Sequence, residues 1–113
     1  MTANIQIIGN VGNEPELVEF ESGNKKATFT VCVNDFSQKD KDGNPSKTWF
    51  QIESWNGQTK NVTDLITKGR EIAVTGKLLL QEYYSKKLKK HITKPVVKLT
   101  EFHLCGKKPT GDE

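Results

Sequence analysis

The sequence has little of what a catalytic centre, a metal site or a membrane span would require. Its two cysteines, Cys32 and Cys105, stand far apart, with no CxxC or Cys/His spacing suited to zinc. They read as free thiols of a reducing compartment, where disulfides are rare. The two histidines, His91 and His103, lie in dissimilar surroundings, and no Ser/His/Asp or Cys/His set is visible, so an enzyme is not expected. There is no phosphate-cradling glycine loop and no carboxylate cluster of the kind a helicase or nuclease needs, and nothing calls for a cofactor. Long apolar runs are missing too. Ile5 to Ile8 is broken by Gln6 and ended by Gly9, with no basic leader, which argues against a signal peptide or membrane segment and for a cytoplasmic protein. No internal repeat is present.

What is there suits one small domain. A chain of 113 residues supports a single core and no second domain beside it. With 34% hydrophobic and 27% charged residues it is polar but can fold, so the core should be thin. Seventeen Lys and Arg against fourteen Asp and Glu leave only +3, too little to imply an acidic partner. The distribution says more. Residues 1–24 carry Glu14, Glu16, Glu19 and Glu21 and no base, whereas residues 83–100 carry Lys86, Lys87, Lys89, Lys90, Lys94 and Lys98 and no acid.

β-branched and aromatic content with alternation predicts strands at about 3–9 continuing into 16–20, then 27–35, 47–55, 71–83 and 95–105. The first is interrupted by Gly9-Asn10-Val11-Gly12-Asn13-Glu14-Pro15, a bend suited to a strand shared between two sides of a barrel. Gln58 to Lys68 places Val62, Leu65 and Ile66 at i, i+3 and i+4 before Gly69, which predicts the one helix. This order gives an all-β oligonucleotide-binding (OB) fold, a five-stranded Greek-key barrel with one helix between strands 3 and 4. Residues 1–106 form the domain and 107–113 a short flexible end. Ser37 to Ser46 and Ser85 to Lys94 read as long polar loops.

In strand three, side chains alternate so that Trp49, Gln51, Glu53 and Trp55 share one face and Phe50, Ile52 and Ser54 the other. Burying Gln51 and Glu53 unpaired would be costly, so the face with both tryptophans is expected to be wet. In strand four Ile72, Val74, Gly76, Leu78 and Leu80 make a core face, which turns Lys77 and Tyr83 outward together. Strand two gives Ala27, Phe29, Val31 and Val33 to the core and leaves Phe36 free just past its end. Exposed aromatics among lysines suit a nucleic acid single strand, because each base offers a π-face and each phosphate a charge. Such a surface needs no base-edge readout, so sequence preference should be weak. The plainer alternatives are that the aromatics serve a core or subunit interface and that the lysine run is a solvated hairpin tip.

At these residues the chain resembles the bacterial single-stranded DNA-binding protein family, over residues 3–105. The resemblance is carried by Gly9-Asn10-Val11-Gly12 with Pro15-Glu16-Leu17, by Thr48-Trp49-Phe50, and by the run from Lys68-Gly69-Arg70 to Gly76-Lys77-Leu78. It implies stacking of DNA bases on Trp49, Trp55, Tyr83 and Phe36, a homotetramer around which single-stranded DNA wraps, a role in replication, recombination and repair, and association with the nucleoid. Where relatives often carry a base this chain has Val18, Gln51, Thr67, Gln81 and Glu82, which shifts the expected phosphate contacts to Lys47, Lys77, Lys86, Lys87, Lys89 and Lys90. Phe50 stands where relatives often have a histidine in the subunit contact. The family's acidic C-terminal tip, which recruits protein partners, has no counterpart in Pro109-Thr110-Gly111-Asp112-Glu113.

Two rival readings remain open on sequence grounds. One is an OB-fold scaffold that assembles with protein and buries its aromatics, as replication-restart modules do. The other is single-stranded RNA binding by the same surface, since stacking alone does not distinguish the two sugars.

Overall fold

The computed structural model describes residues 3–106, and for Phe36 the backbone only. The strands are β1 (Asn4–Val11), β2 (Glu16–Glu19), β3 (Lys25–Lys39), β4 (Pro45–Trp55), β5 (Glu71–Ser85) and β6 (Lys90–Cys105). A single 3-10 turn, Asn56–Gln58, leads into the helix α1 (Thr59–Leu65) between β4 and β5. The strand order is β1-β5-β6-β4-β3-β2, and a further β1–β3 pairing at Asn10 and Val11 closes the sheet on itself. All pairings are antiparallel except β4–β6, where Gln51, Ile52 and Glu53 run alongside Val96, Val97 and Lys98. With β1 and β2 counted as one bent strand, this is the expected five-stranded OB barrel, its helix in the expected interval.

The core follows the alternation. Ala27, Phe29 and Val31 of β3, Ile52 of β4, Ile72 and Val74 of β5 and Val97 of β6 are all buried, with Val62 and Ile66 sealing the barrel from the helix side. Phe50 packs against this cluster from a partly buried position. Fully burying a side chain of this kind contributes roughly 1.5–3 kcal/mol. Gly76 sits where β5 shifts register against β6, and a β-carbon there would run into the Lys98 carbonyl and come within 2.8 Å of Val97 Cγ1.

Four expectations need correction. The two long loops are in large part strand. β3 and β4 extend to a turn over residues 40–44, in which the Asp40 carboxylate accepts from the amides of Asp42 and Asn44 at 2.9 and 3.0 Å. β5 and β6 likewise run out to a turn over residues 86–89, closed by the Lys89 amide on the Ser85 carbonyl at 2.7 Å. Leu80, expected in the core, is 70% exposed, because β5 continues past the end of the barrel and its inward face has nothing left to cover it. The helix is shorter than expected; Ile66 is already extended yet buried, while Leu65 faces out.

In the β3–β4 hairpin the ladder is irregular between Asp35 and Lys39. There the Ser37 hydroxyl, and next its amide at 2.9 Å, donate to the Asp35 carboxylate and hold it below the ordinary carboxylate range. Cys32 and Cys105 are free thiols. Among the described residues no helix is long and apolar enough to cross a membrane. The expected flexible end, 107–113, lies outside the described residues.

Candidate nucleic-acid interface

Register places the site on the outer face of the sheet. In the β3–β4 ladder Trp49 pairs with Cys32, Gln51 with Thr30, Glu53 with Thr28 and Trp55 with Lys26. The parallel seam puts Val96 beside Gln51 and Lys98 beside Glu53, and β6 then aligns Ile92, Lys94, Val96 and Lys98 with Tyr83, Gln81, Leu79 and Lys77 of β5. Partners in a ladder point to the same side. Trp49, Trp55, Tyr83, Lys47 and Lys77 therefore share one continuous face across β4, β6 and β5.

Trp49 is 58% exposed and Tyr83 48%, whereas Trp55 is half-buried. The six-membered ring of Trp49 lies over Gly12, where a β-carbon would come within 2.5 Å of it and 2.6 Å of Thr30 Oγ1. Asn13 fixes this corner, its Oδ1 accepting from the Thr30 amide at 2.9 Å and from the Thr30 hydroxyl at 2.6 Å. The two tryptophans are six residues apart on one strand, about 20 Å at ~3.4 Å per residue. Between them lies a hollow of about 290 Å³ lined by Asn13, Glu16, Thr28, Phe29, Thr30 and Gln51, polar enough to meet base edges or sugar.

The expectation that this whole face is wet fails at Glu53, which is 4% exposed. Strands flank it on both sides, with Thr28 and Lys98 as its register neighbours, and Gln51 Nε2 donates to its carboxylate at 3.5 Å. It is therefore buried but partnered.

The expected phosphate contacts divide into two groups. Lys47 and Lys77 stand on the aromatic face. Lys90 opens β6 opposite Ser85, and Lys86, Lys87 and Lys89 occupy the turn at the hairpin tip, all of them exposed. Phe36 lies in β3, and its side chain is outside what is described.

Four residues that were not among the expected contacts join the face. Lys94 and Lys98 do so through β6. Lys26, opposite both Trp55 and Val18, puts a cation next to a position where this chain lacks one. Phe20, just past β2, stacks on Trp55 with ring centroids 5.9 Å apart and planes 15° from parallel. Alternation with Ala27 and Phe29 would have placed Lys26 outward; nothing local signals Phe20. Among the described residues no group of three or more His, Cys, Asp or Glu side chains is arranged to hold a metal.

A closed OB barrel with aromatics and lysines spread over one outer face belongs to the class of folds that present a groove to extended polymers. Within that class, a model of the Single-strand binding protein family matches residues 2–104, and the chain belongs to that family. It is 30% identical over 108 residues to "Single-stranded DNA-binding protein 1" of Nostoc sp., covering 96% of this chain and 87% of that one. It is 31% identical over 109 residues to the protein of the same description from Synechocystis sp., covering 96% and 88%. A 29% identical relative from Chlorobaculum tepidum is longer, and the match covers 67% of it.

Proposed function

We propose that this protein binds and protects single-stranded DNA without catalysis and with little sequence preference. Bases stack on Trp49, Trp55 and Tyr83, with Phe36 as a fourth platform, and Lys47, Lys77 and the tip lysines Lys86, Lys87, Lys89 and Lys90 neutralise phosphates. The observation that carries this reading is the exposure of Trp49 on the same face as Lys47 and Lys77. A bare indole among cations is open to a base, and a stacked base contributes about 1–3 kcal/mol. A scaffold that assembles with protein would cover the same aromatics with its partner, and the two readings separate on whether DNA changes the tryptophan emission.

The protein acts as a homotetramer in replication, recombination and repair, in the cytoplasm on the nucleoid. Self-assembly is supported by β1, whose residues 4–9 pair only with β5 among the described residues and leave the other edge open, and by the 58% exposure of Ile8 on it. Tryptophan fluorescence tests the binding reading, since both indoles of the chain lie on the proposed surface. Oligo-dT should quench the emission strongly and salt should restore it. Emission indifferent to oligo-dT would overturn the reading, and displacement of oligo-dT by equimolar poly-U would assign the surface to RNA.

A further inference from the structure

The stack of Phe20 on Trp55 changes where the aromatic track ends. Phe20 is held in a tight turn from both sides, its amide donating to the Asn24 carbonyl at 2.8 Å and its carbonyl accepting from the Gly23 amide at 2.9 Å. Its ring is offset-parallel to Trp55 at 5.9 Å, within the range for favourable aromatic pairs. Yet 41% of Phe20 remains exposed, so packing on Trp55 leaves much of its surface in water. Lys26 Nζ sits 5.9 Å from the Phe20 centroid and 5.6 Å from that of Trp55, within cation–π range of both. Among the described residues Lys26 makes no ion pair, unlike its neighbour Lys25, which lies 4.0 Å from Glu19. A fixed, half-bare ring next to an unpaired ammonium is the local pattern that a nucleotide completes.

We propose that Phe20 and Lys26 form a further nucleotide subsite beyond Trp55. The strand leaving Trp55 lays its next base on the open side of Phe20, and Lys26 meets the phosphate that joins the two nucleotides. Trp55, with one side already occupied, then hands the strand on over the β2–β3 turn. This subsite rests on the single-stranded DNA reading above and extends it by one position.

The test is a series of oligo-dT lengths titrated against the wild type, Phe20→Leu, Phe20→Trp and Lys26→Gln, with thermal melting of each variant as a check on folding. Leucine keeps apolar packing on Trp55 and removes the π-face. Phe20→Leu should lose about 5- to 150-fold on strands long enough to pass Trp55, the equivalent of about 1–3 kcal/mol per stacked base, and distinctly less on shorter ones. Phe20→Trp should keep the affinity, and its added fluorescence should be quenched only by the longer strands. Lys26→Gln should reduce the salt slope by about 0.7 on long strands alone. Equal affinity of Phe20→Leu and wild type at every length, or an equal loss at every length, would overturn the subsite and leave Phe20 as a prop for Trp55. Failure of the wild type to bind any oligo-dT is a separate result, which removes the DNA reading and the subsite with it.

Discussion

At Gly12 the absence of a side chain makes room for the indole of Trp49, and the two positions act as one device. Trp49→Ala is expected to lower oligo-dT affinity by about 1–3 kcal/mol with the melting temperature little changed, because the ring is mostly outside the core. Gly12→Ala should bring part of that loss without touching the indole itself. The new methyl would displace the ring, and near-ultraviolet circular dichroism together with an oligo-dT titration would show both effects; unaltered binding would mean that Trp49 can stack from another rotamer. Trp49 was legible in the sequence because alternation along β4 needs only local information. The burial of Glu53 was not, since its cover comes from β3 and β6, strands remote in the chain. Phe20 was hidden for the same reason. In sequence it is an isolated aromatic among glutamates, and its partner Trp55 belongs to a different strand.

The two long hairpins are where composition misled. Residues 37–46 and 85–94 are polar on both sides, which reads as loop, because beyond the end of a barrel neither face of a ribbon has a core to meet. The opposite error at Leu80 has the same origin: alternation continued past the point where the barrel stops. The barrel strands and the helix interval, by contrast, were readable from the apolar pattern of Phe29, Val31, Ile52, Ile72 and Val74. For the β5–β6 ribbon the expected outcome concerns charge. Neutralising Lys86, Lys87, Lys89 and Lys90 together should flatten the dependence of log affinity on log salt by about 0.7 for each phosphate that no longer meets a cation. A salt titration with oligo-dT measures this directly, and an unchanged slope would show that the tip is merely solvated. Tyr83 and Lys77 lie nearer the barrel on the same ribbon, so their hold on the strand should survive that change.

Across the whole molecule, the open edge of β1 and the bare Ile8 are features that a lone barrel leaves uncovered. Light scattering on the purified chain is expected to give four times its 12.7 kDa mass, and Ile8→Lys to reduce that value while each barrel stays folded. A wild-type mass of one chain would remove the tetramer. The parallel seam between β4 and β6 has a consequence for the life of the chain before it reaches any DNA. Gln51 can find Val96 only when β5 and the first half of β6 have been made, so this closure joins segments that are distant along the backbone. High contact order of this kind places folding in the region of milliseconds to seconds, because the entropy of closing a long loop is lost before the contacts it enables can form. On the ribosome the nascent chain must therefore wait, with strand edges unprotected, for β6 to emerge and close the ring.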